Sequence, residues 1–519
     1  MTPFRPLIAI ALIALLALPA YAEDLRAKNV ILMISDGIGF DGWLAADYYQ
    51  GLAGRQSYQV TRPDGTAPVI FGLDHHALNL YDAAGDLPPS GSEAALAVAA
   101  VAQGYDPATR WDRFENTILN DFDPVAKRYT SYTDSAAAGT ALMTGRKTSN
   151  GRVNINWKGT ESLRTIAQIA MDQGRAAGSV ASVMVSHATP AATIAHNLSR
   201  KNYVEIFNEM VGSGLNVIMG AGHPLYDNSG NRIDPDDEDA YRYVGGPATY
   251  AAMTRDGGLN GFTFIDAKAN FEALAAGQNV PERVVGIARA GRTLQASRKG
   301  LPAAGTPSGM AKNPIVPSLA TMSLGALNVL SQDEDGMFLM IEGGAVDWMG
   351  HANNMPRFIE EQVDFNLAVD VVIDWVETHS SWEETLLIVT SDHESGGIWG
   401  EGTWTNGAGE AGRGGGIRSA ARFDPAEDTF NGYFAVQNRG AGNLPGHMWS
   451  SRNHTNELVP LWALGAGAGA FAAFSRSDLR AAELWGEPYG WGGDFVDNTA
   501  VFAVMQAVFA PTAVSMPTQ

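Results

Sequence analysis

Short, unbroken apolar runs recur along the chain, and several stop on an acidic residue or on His. Asn29–Ser35 reads Asn-Val-Ile-Leu-Met-Ile-Ser and runs into Asp36-Gly37. Ser179–Val185, Leu215–Met219, Met337–Ile341, Thr385–Ser391 and Val459–Leu464 have the same character. Runs without polar alternation suit the strands of a parallel sheet covered on both faces. Helical patterns lie between them, over Pro317–Leu330, from about Met355 to Glu377, and from Val496-Asp497-Asn498-Thr499 onward. Pro190, in His187-Ala188-Thr189-Pro190-Ala191-Ala192, marks a further helix start, and that helix is expected to carry His196 and Arg200. The pattern predicts an α/β protein, a three-layer α/β/α sandwich with a large, mostly parallel central sheet.

Elsewhere the periodicity fades. Residues 44–130 are mixed, with turn clusters at Pro63-Asp64-Gly65 and Pro88-Pro89-Ser90-Gly91, and His75-His76 there reads as packing or surface. Asp227–Asp239 reads as a solvated acidic loop, 286–315 as a long surface connection, and 396–450 as a Gly-rich insertion. With 519 residues, the chain suits one large α/β domain with insertions, or two domains; a single catalytic domain over 23–519 is expected, with insertions near 44–125, 222–315 and 396–450. Leu458–Phe474 is long and uncharged, but Pro460, Gly465, Gly467 and Gly469 break it, so a buried strand and loop is expected, not a membrane span.

The first residues carry a different signal. Arg5 precedes the apolar run Leu7–Leu18, and Ala20-Tyr21-Ala22 is a small-x-small cleavage site. A signal peptide over 1–22 is expected, with a periplasmic or secreted mature protein. The chain has no cysteine, which excludes disulfides, thiolate zinc sites and a cysteine nucleophile. The net charge of −21 argues against general nucleic-acid binding, and a phosphate handled by so acidic a protein needs strong local cations.

Two sets of residues carry chemistry. In Asp134-Ser135-Ala136-Ala137-Ala138-Gly139-Thr140-Ala141-Leu142-Met143-Thr144-Gly145, a capping Asp-Ser pair opens a helix of small residues and Gly145 closes it. A hydroxyl at such a start sits where free N–H groups favour an anion. The second set lies at strand ends: Asp36, Glu342 and the pair Asp392-His393 each follow a buried run and should meet on one rim. Carboxylates gathered there repel one another unless cations hold them. Asp347 and His351, four residues apart, face one side of a helical turn, and His454 would supply a third ligand. Asp with two His suits zinc, while an all-oxygen set of Asp, Thr and Glu suits magnesium.

Asp-Ser-Ala-Ala-Ala-Gly-Thr-Ala closely resembles the nucleophile motif of the alkaline phosphatases, and the pattern extends in order from Asp36 to His454. The resemblance implies that Ser135 is phosphorylated in turnover. It implies two Zn2+, one held by Asp347, His351 and His454, the other by Asp36, Asp392 and His393. It implies one Mg2+ held by Thr189 and Glu342, with Asp36 bridging to it. Arg200 falls at the family's substrate-arginine position, with Asp134 orienting it. His187 and Trp348 stand where the family varies, and are assigned to the outer shell of the magnesium site. The implied substrates are small-molecule phosphate monoesters, the implied partner a second copy of the chain in a homodimer. Two alternatives stay open: a phosphodiesterase or other member of the same superfamily, and an exported phosphate-binding protein without turnover.

Overall fold

The computed structural model describes residues 26–78, 105, 122–123, 128–129, 132–235, 237–400, 435–449 and 452–510. The proposed signal peptide and much of the 44–125 and 396–450 insertions lie outside the described residues. An 11-stranded sheet runs through the molecule. Across it, in order, lie Arg476–Ser477, Asp494–Asp497, Val69–Asp74, Val459–Gly465, Thr385–Thr390, Asn29–Ser35, Met337–Gly343, Ala176–Met184, Val217–Ala221, Val284–Ile287 and Thr263–Ile265. The seven strands from Thr385–Thr390 to Thr263–Ile265 are mutually parallel. Val459–Gly465 runs antiparallel to both of its neighbours.

Alternate residues of the central Asn29–Ser35 strand feed two different cores. Ile31 and Met33 pack with Phe40, Trp43, Leu327, Phe358 and Phe365. Val30, Leu32 and Ile34 pack with Leu142, Ile166, Phe207, Val501 and Val504. Two helical layers therefore sandwich the sheet, as period-two side-chain alternation requires. Ile34 pairs with Thr390 on one side and with Glu342 on the other, so three strands reach their carboxyl ends side by side.

The helix Ser135–Thr144 is buried along its whole length. Asp134 caps it, its Oδ1 accepting from the Ala137 N–H at 2.9 Å, and Gly145 ends it in the left-handed region at φ 67°. Its small residues allow close packing: a Cβ on Gly139 would lie 3.0 Å from that of Ala192. No described helix is long and apolar enough to cross a membrane.

Two expectations need correction, and the mixed region holds a strand that its pattern does not announce. The helix at Pro190 spans only Ala188–Ala192 and carries neither His196 nor Arg200. Asn154 Nδ2 donates to the carbonyls of Ala192 and Ala195, and Asn197 pairs backbone to backbone with Val153, which draws the chain out of the helix. The 286–315 stretch is not merely a surface connection. Leu294, Ala296 and Arg298 are buried, and the Arg298 guanidinium donates to the carbonyl of Ala311 at 2.7 Å and to Glu360 at 2.7 Å, binding the segment to the helix Met355–His379. In the mixed region, Val69–Asp74 is a strand of the central sheet, and His75 and His76 behind it are buried.

Candidate active site

Asp36, Glu342, Asp392 and His393 all lie at the carboxyl ends of the aligned strands and are wholly inaccessible to solvent. Gly37 holds the turn after Asp36 at φ 77°, and a Cβ there would stand 2.6 Å from the Cα of Asp347. The missing side chain thus lets the helix Ala345–His351 close onto the strand ends. Asp392 Oδ1 accepts from the backbone of Gly37 at 3.1 Å and of His393 at 3.0 Å, which locks the turn.

Asp347 and His351 share one face of that short helix, and His454 comes from a remote strand. Asp347 Oδ1 lies 3.3 Å from Nε2 of both rings. Each ring is oriented from behind by a backbone carbonyl: His351 Nδ1 lies 2.6 Å from the oxygen of Arg452, and His454 Nδ1 lies 2.7 Å from that of Thr133. A carbonyl behind each Nδ1 leaves Nε2 as the ring nitrogen that faces Asp347, the orientation in which Nε2 can serve as a metal ligand.

Beside this group stands a second. His393 Nε2 is 3.2 Å from Asp392 Oδ2 and 3.5 Å from Asp36 Oδ1. Its ring stacks on that of His454 at 3.6 Å. Ser135 Oγ lies 3.2 Å from the same Nε2, so the hydroxyl at the helix start faces this group directly. A third group forms from Asp36, Glu342 and His187, whose ligand atoms lie within 4.8 Å of one another. The Thr189 hydroxyl is buried without a hydrogen-bond partner.

Arg200 enters from the irregular segment after Ala192. Its backbone N–H donates to Gly151 at 2.7 Å, its Nη1 donates to Asp134 Oδ2 at 3.0 Å, and its Nη2 lies 3.2 Å from His187 Nε2. The cleft in front has a volume of about 430 Å3, and Ser135, His187, Arg200, Asp347, Trp348, His351 and His454 line it. Tyr132, Arg292 and Asn453 also line it and were not anticipated. The Trp348 ring meets His187 edge-on at 5.8 Å.

The electrostatics are those of charge gathered without counter-charge. Burial, reinforced by Asp392, Asp347 and Glu342, holds Asp36 well above the usual carboxylate range. Burial, with the charge of Asp392 added, pushes Glu342 up to about 8. Asp392 is pushed up to about 6, chiefly by burial. Burial works against ionised Asp347 too, but His351 and His454 outweigh it and hold that carboxyl well below its usual value. Burial and then Arg200 drive His187 down to about 3, so its ring is neutral.

Divalent cations fit these residues. Both carboxylate oxygens of Asp36 and of Glu342, with Asp347 Oδ1, Asp392 Oδ2 and Thr189 Oγ1, are buried with no hydrogen-bond partner. Such orphaned acceptors are costly unless a cation satisfies them. The Asp347–His351–His454 set suits zinc, and the oxygen-rich Asp36–Glu342–Thr189 set suits magnesium.

Fold and site together define a three-layer α/β/α protein whose strand ends gather carboxylates and imidazoles beneath a serine at a helix start. The alkaline phosphatase family matches residues 97–411, more than half of the chain, and the chain belongs to that family. It is 30% identical over 271 residues to alkaline phosphatase 3 of Bacillus subtilis (strain 168), a match covering 51% of this chain and 50% of that protein. Against the alkaline phosphatase of Escherichia coli (strain K12) it is 28% identical over 391 residues, 72% of this chain and 71% of that one. The match thus spans about half the length of the Bacillus relative. The fold resembles that of the alkaline phosphatase of the Antarctic bacterium TAB5, with a TM-score of 0.54 and 20% identity, covering 94% of this chain and 99% of that one.

Proposed function

We propose that the protein hydrolyses phosphate monoesters to an alcohol and inorganic phosphate through a phosphoserine at Ser135. The observation that carries this reading is the position of the Ser135 hydroxyl. It stands at the start of a buried helix, 3.2 Å from His393 and in one cleft with Arg200. Asp347, His351 and His454 would hold one zinc, Asp36, Asp392 and His393 a second, and Thr189 and Glu342, with Asp36 bridging, a magnesium. Cations bound there supply Lewis-acid charge that polarises phosphoryl oxygens and offsets the charge of buried carboxylates.

In this reading Ser135 Oγ forms a bond to phosphorus as the ester oxygen leaves with the alcohol, and water then takes the place of Oγ. The free N–H groups at the helix start attract the anion. Arg200, steadied by Asp134 and by neutral His187, offers its planar donors to two non-bridging oxygens, a geometry Lys cannot copy. That arginine favours monoesters over diesters, because a diester presents one fewer charged oxygen. Export rests on the Leu7–Leu18 run and its cleavage site, and pairing into a homodimer rests on resemblance alone.

Turnover of 4-nitrophenyl phosphate, bis(4-nitrophenyl) phosphate and 4-nitrophenyl sulfate by the metal-loaded protein tests the reading. The monoester is expected to dominate at alkaline pH. Preference for the diester would overturn it in favour of a phosphodiesterase, and phosphate binding without any turnover would favour a binding protein.

A further inference from the structure

One cation at the cleft has no part in the chemistry just described. Arg292 is exposed, and its guanidinium carbon sits 4.5 Å from the centre of the Trp348 ring. Trp348 in turn touches His187, and His187 touches Arg200, so the two arginines flank one wall of the cleft with two rings between them. Nearby arginines are neutralised: Arg289 makes two hydrogen bonds to Asp266, and Arg242 pairs with Asp239. Among the described residues no carboxylate pairs with Arg292.

The backbone of Arg292 is held from both sides. The Asn228 side chain accepts its N–H at 2.8 Å. The next residue, Thr293, is buried and bridges to Val183 on the strand that leads to His187. Asp227, which opens the acidic loop, stabilises that support, its Oδ1 accepting from the N–H groups of Ser229 at 2.8 Å and Asn231 at 2.9 Å. An unpaired cation fixed over an aromatic face at the mouth of a site, in a protein of net charge −21, is a local exception to the field around it.

We propose that Arg292 and Trp348 form a subsite for a second anionic group on the substrate, a carboxylate or a further phosphate borne by the alcohol portion. The ring supports the body of the alcohol portion while the guanidinium holds its anion, and Arg200 holds the phosphoryl group. The inference rests on the monoesterase reading and adds a substrate class to it.

The test compares 4-carboxyphenyl phosphate and 1,4-phenylene bisphosphate with phenyl phosphate in the wild-type protein, Arg292→Ala and Arg292→Lys. The ratio of kcat/KM for each doubly anionic ester to that for phenyl phosphate is expected to fall about threefold to tenfold in Arg292→Ala and to recover in part in Arg292→Lys. A fall confined to one ester tells carboxylate from phosphate as the preferred anion. Unchanged ratios, or an equal loss on all three esters, would overturn the proposal and leave Arg292 as a surface packing residue. Calorimetric binding of benzylphosphonate and 4-carboxybenzylphosphonate makes the same comparison without turnover. If both bind and no ester is hydrolysed, the hydrolase reading fails while the Arg292 subsite is still decided by the binding ratio.

Discussion

Asp134 joins Arg200 to the helix that begins with Ser135: its Oδ1 caps that helix at Ala137 while its Oδ2 accepts from Arg200 Nη1 at 3.0 Å. Oδ2 also accepts from the Gly151 N–H at 2.9 Å, and the Arg200 N–H donates to the Gly151 carbonyl. One carboxylate therefore sets the distance between the serine and the arginine. The two duties can be separated. Asp134→Asn keeps a capping oxygen and loses the charge, whereas Asp134→Ala loses both. Both are expected to weaken inhibition by inorganic phosphate, and Asp134→Ala alone should cost about 1 kcal/mol of stability through the lost cap. Phosphate inhibition constants and thermal melts of the two variants check this. Equal melting temperatures would contradict the capping role.

Ser135→Ala should lower monoester turnover by about a thousandfold or more. The change leaves Asp134 and the buried helix intact, so the melting temperature should stay close to that of the parent. Acid quenching of the wild-type protein during turnover, followed by peptide mapping, is expected to find phosphate on Ser135. Phosphate mapped to any other side chain would sink the assignment.

The orphaned carboxylates make metal removal a strong perturbation. Treatment with EDTA should abolish activity and lower the melting temperature. Each cation site held at a hundredfold its dissociation constant contributes about 2.7 kcal/mol. Glu342, pushed up to about 8, and Asp36, held high beside it, keep protons in the metal-free protein that a cation must displace. Cation affinity is therefore expected to rise as pH climbs toward about 8, with proton release on binding. Calorimetry in buffers of different ionisation enthalpy reads that release directly. An activity indifferent to chelation would be incompatible with the site described.

The strands and the polar residues gathered at their ends were legible in the sequence for one physical reason. A parallel strand buried on both faces must be apolar throughout, so Asn29–Ser35, Met337–Gly343 and Thr385–Thr390 announce themselves, and the polar residue at each end stands out. Val69–Asp74 was harder to see, because it is a short run after Pro68, interrupted by Gly72, within a mixed region. The carbonyls of Thr133 and Arg452 that orient His454 and His351 were invisible in principle, since backbone groups leave no mark in the sequence. Arg292 and Arg298 looked alike in a stretch rich in Arg, Gly and Pro. Folding sends one to the cleft and buries the other against Glu360.

Glu361 supplies a stability test away from the cleft. It is buried on the helix Met355–His379, its Oε1 has no hydrogen-bond partner, and burial with the charge of Asp364 pushes it up to about 8. A carboxyl raised above its unfolded value costs nothing below the unfolded value, and its penalty grows as pH rises through the interval up to the folded one. Glu361→Gln removes that penalty. The variant should therefore melt higher than the parent above pH 8, with the gain vanishing near pH 4.5. The gain is bounded by roughly 1.4 kcal/mol for each pH unit by which the carboxyl is displaced, less what the amide loses on burial. A gain that was constant across pH would point to packing rather than charge.

His187 is the position where a small change should trade one function against another. Its neutral ring lies 3.2 Å from Arg200 Nη2, and it shares a group of ligand atoms with Asp36 and Glu342. An aspartate there would add a negative charge facing both the cation position and the arginine. Magnesium keeps part of its water shell, so an added acceptor beside Thr189 and Glu342 should tighten its binding, by about tenfold or more. The same charge would partly neutralise Arg200, which already serves Asp134, and so weaken its hold on phosphate. His187→Asp is thus expected to need less added magnesium for full activity and to show a higher inhibition constant for inorganic phosphate. Magnesium titrations and phosphate inhibition of the two proteins, run side by side, check both halves. Identical magnesium affinity would overturn this account of His187, while an unchanged phosphate constant would separate the ring from the arginine it touches.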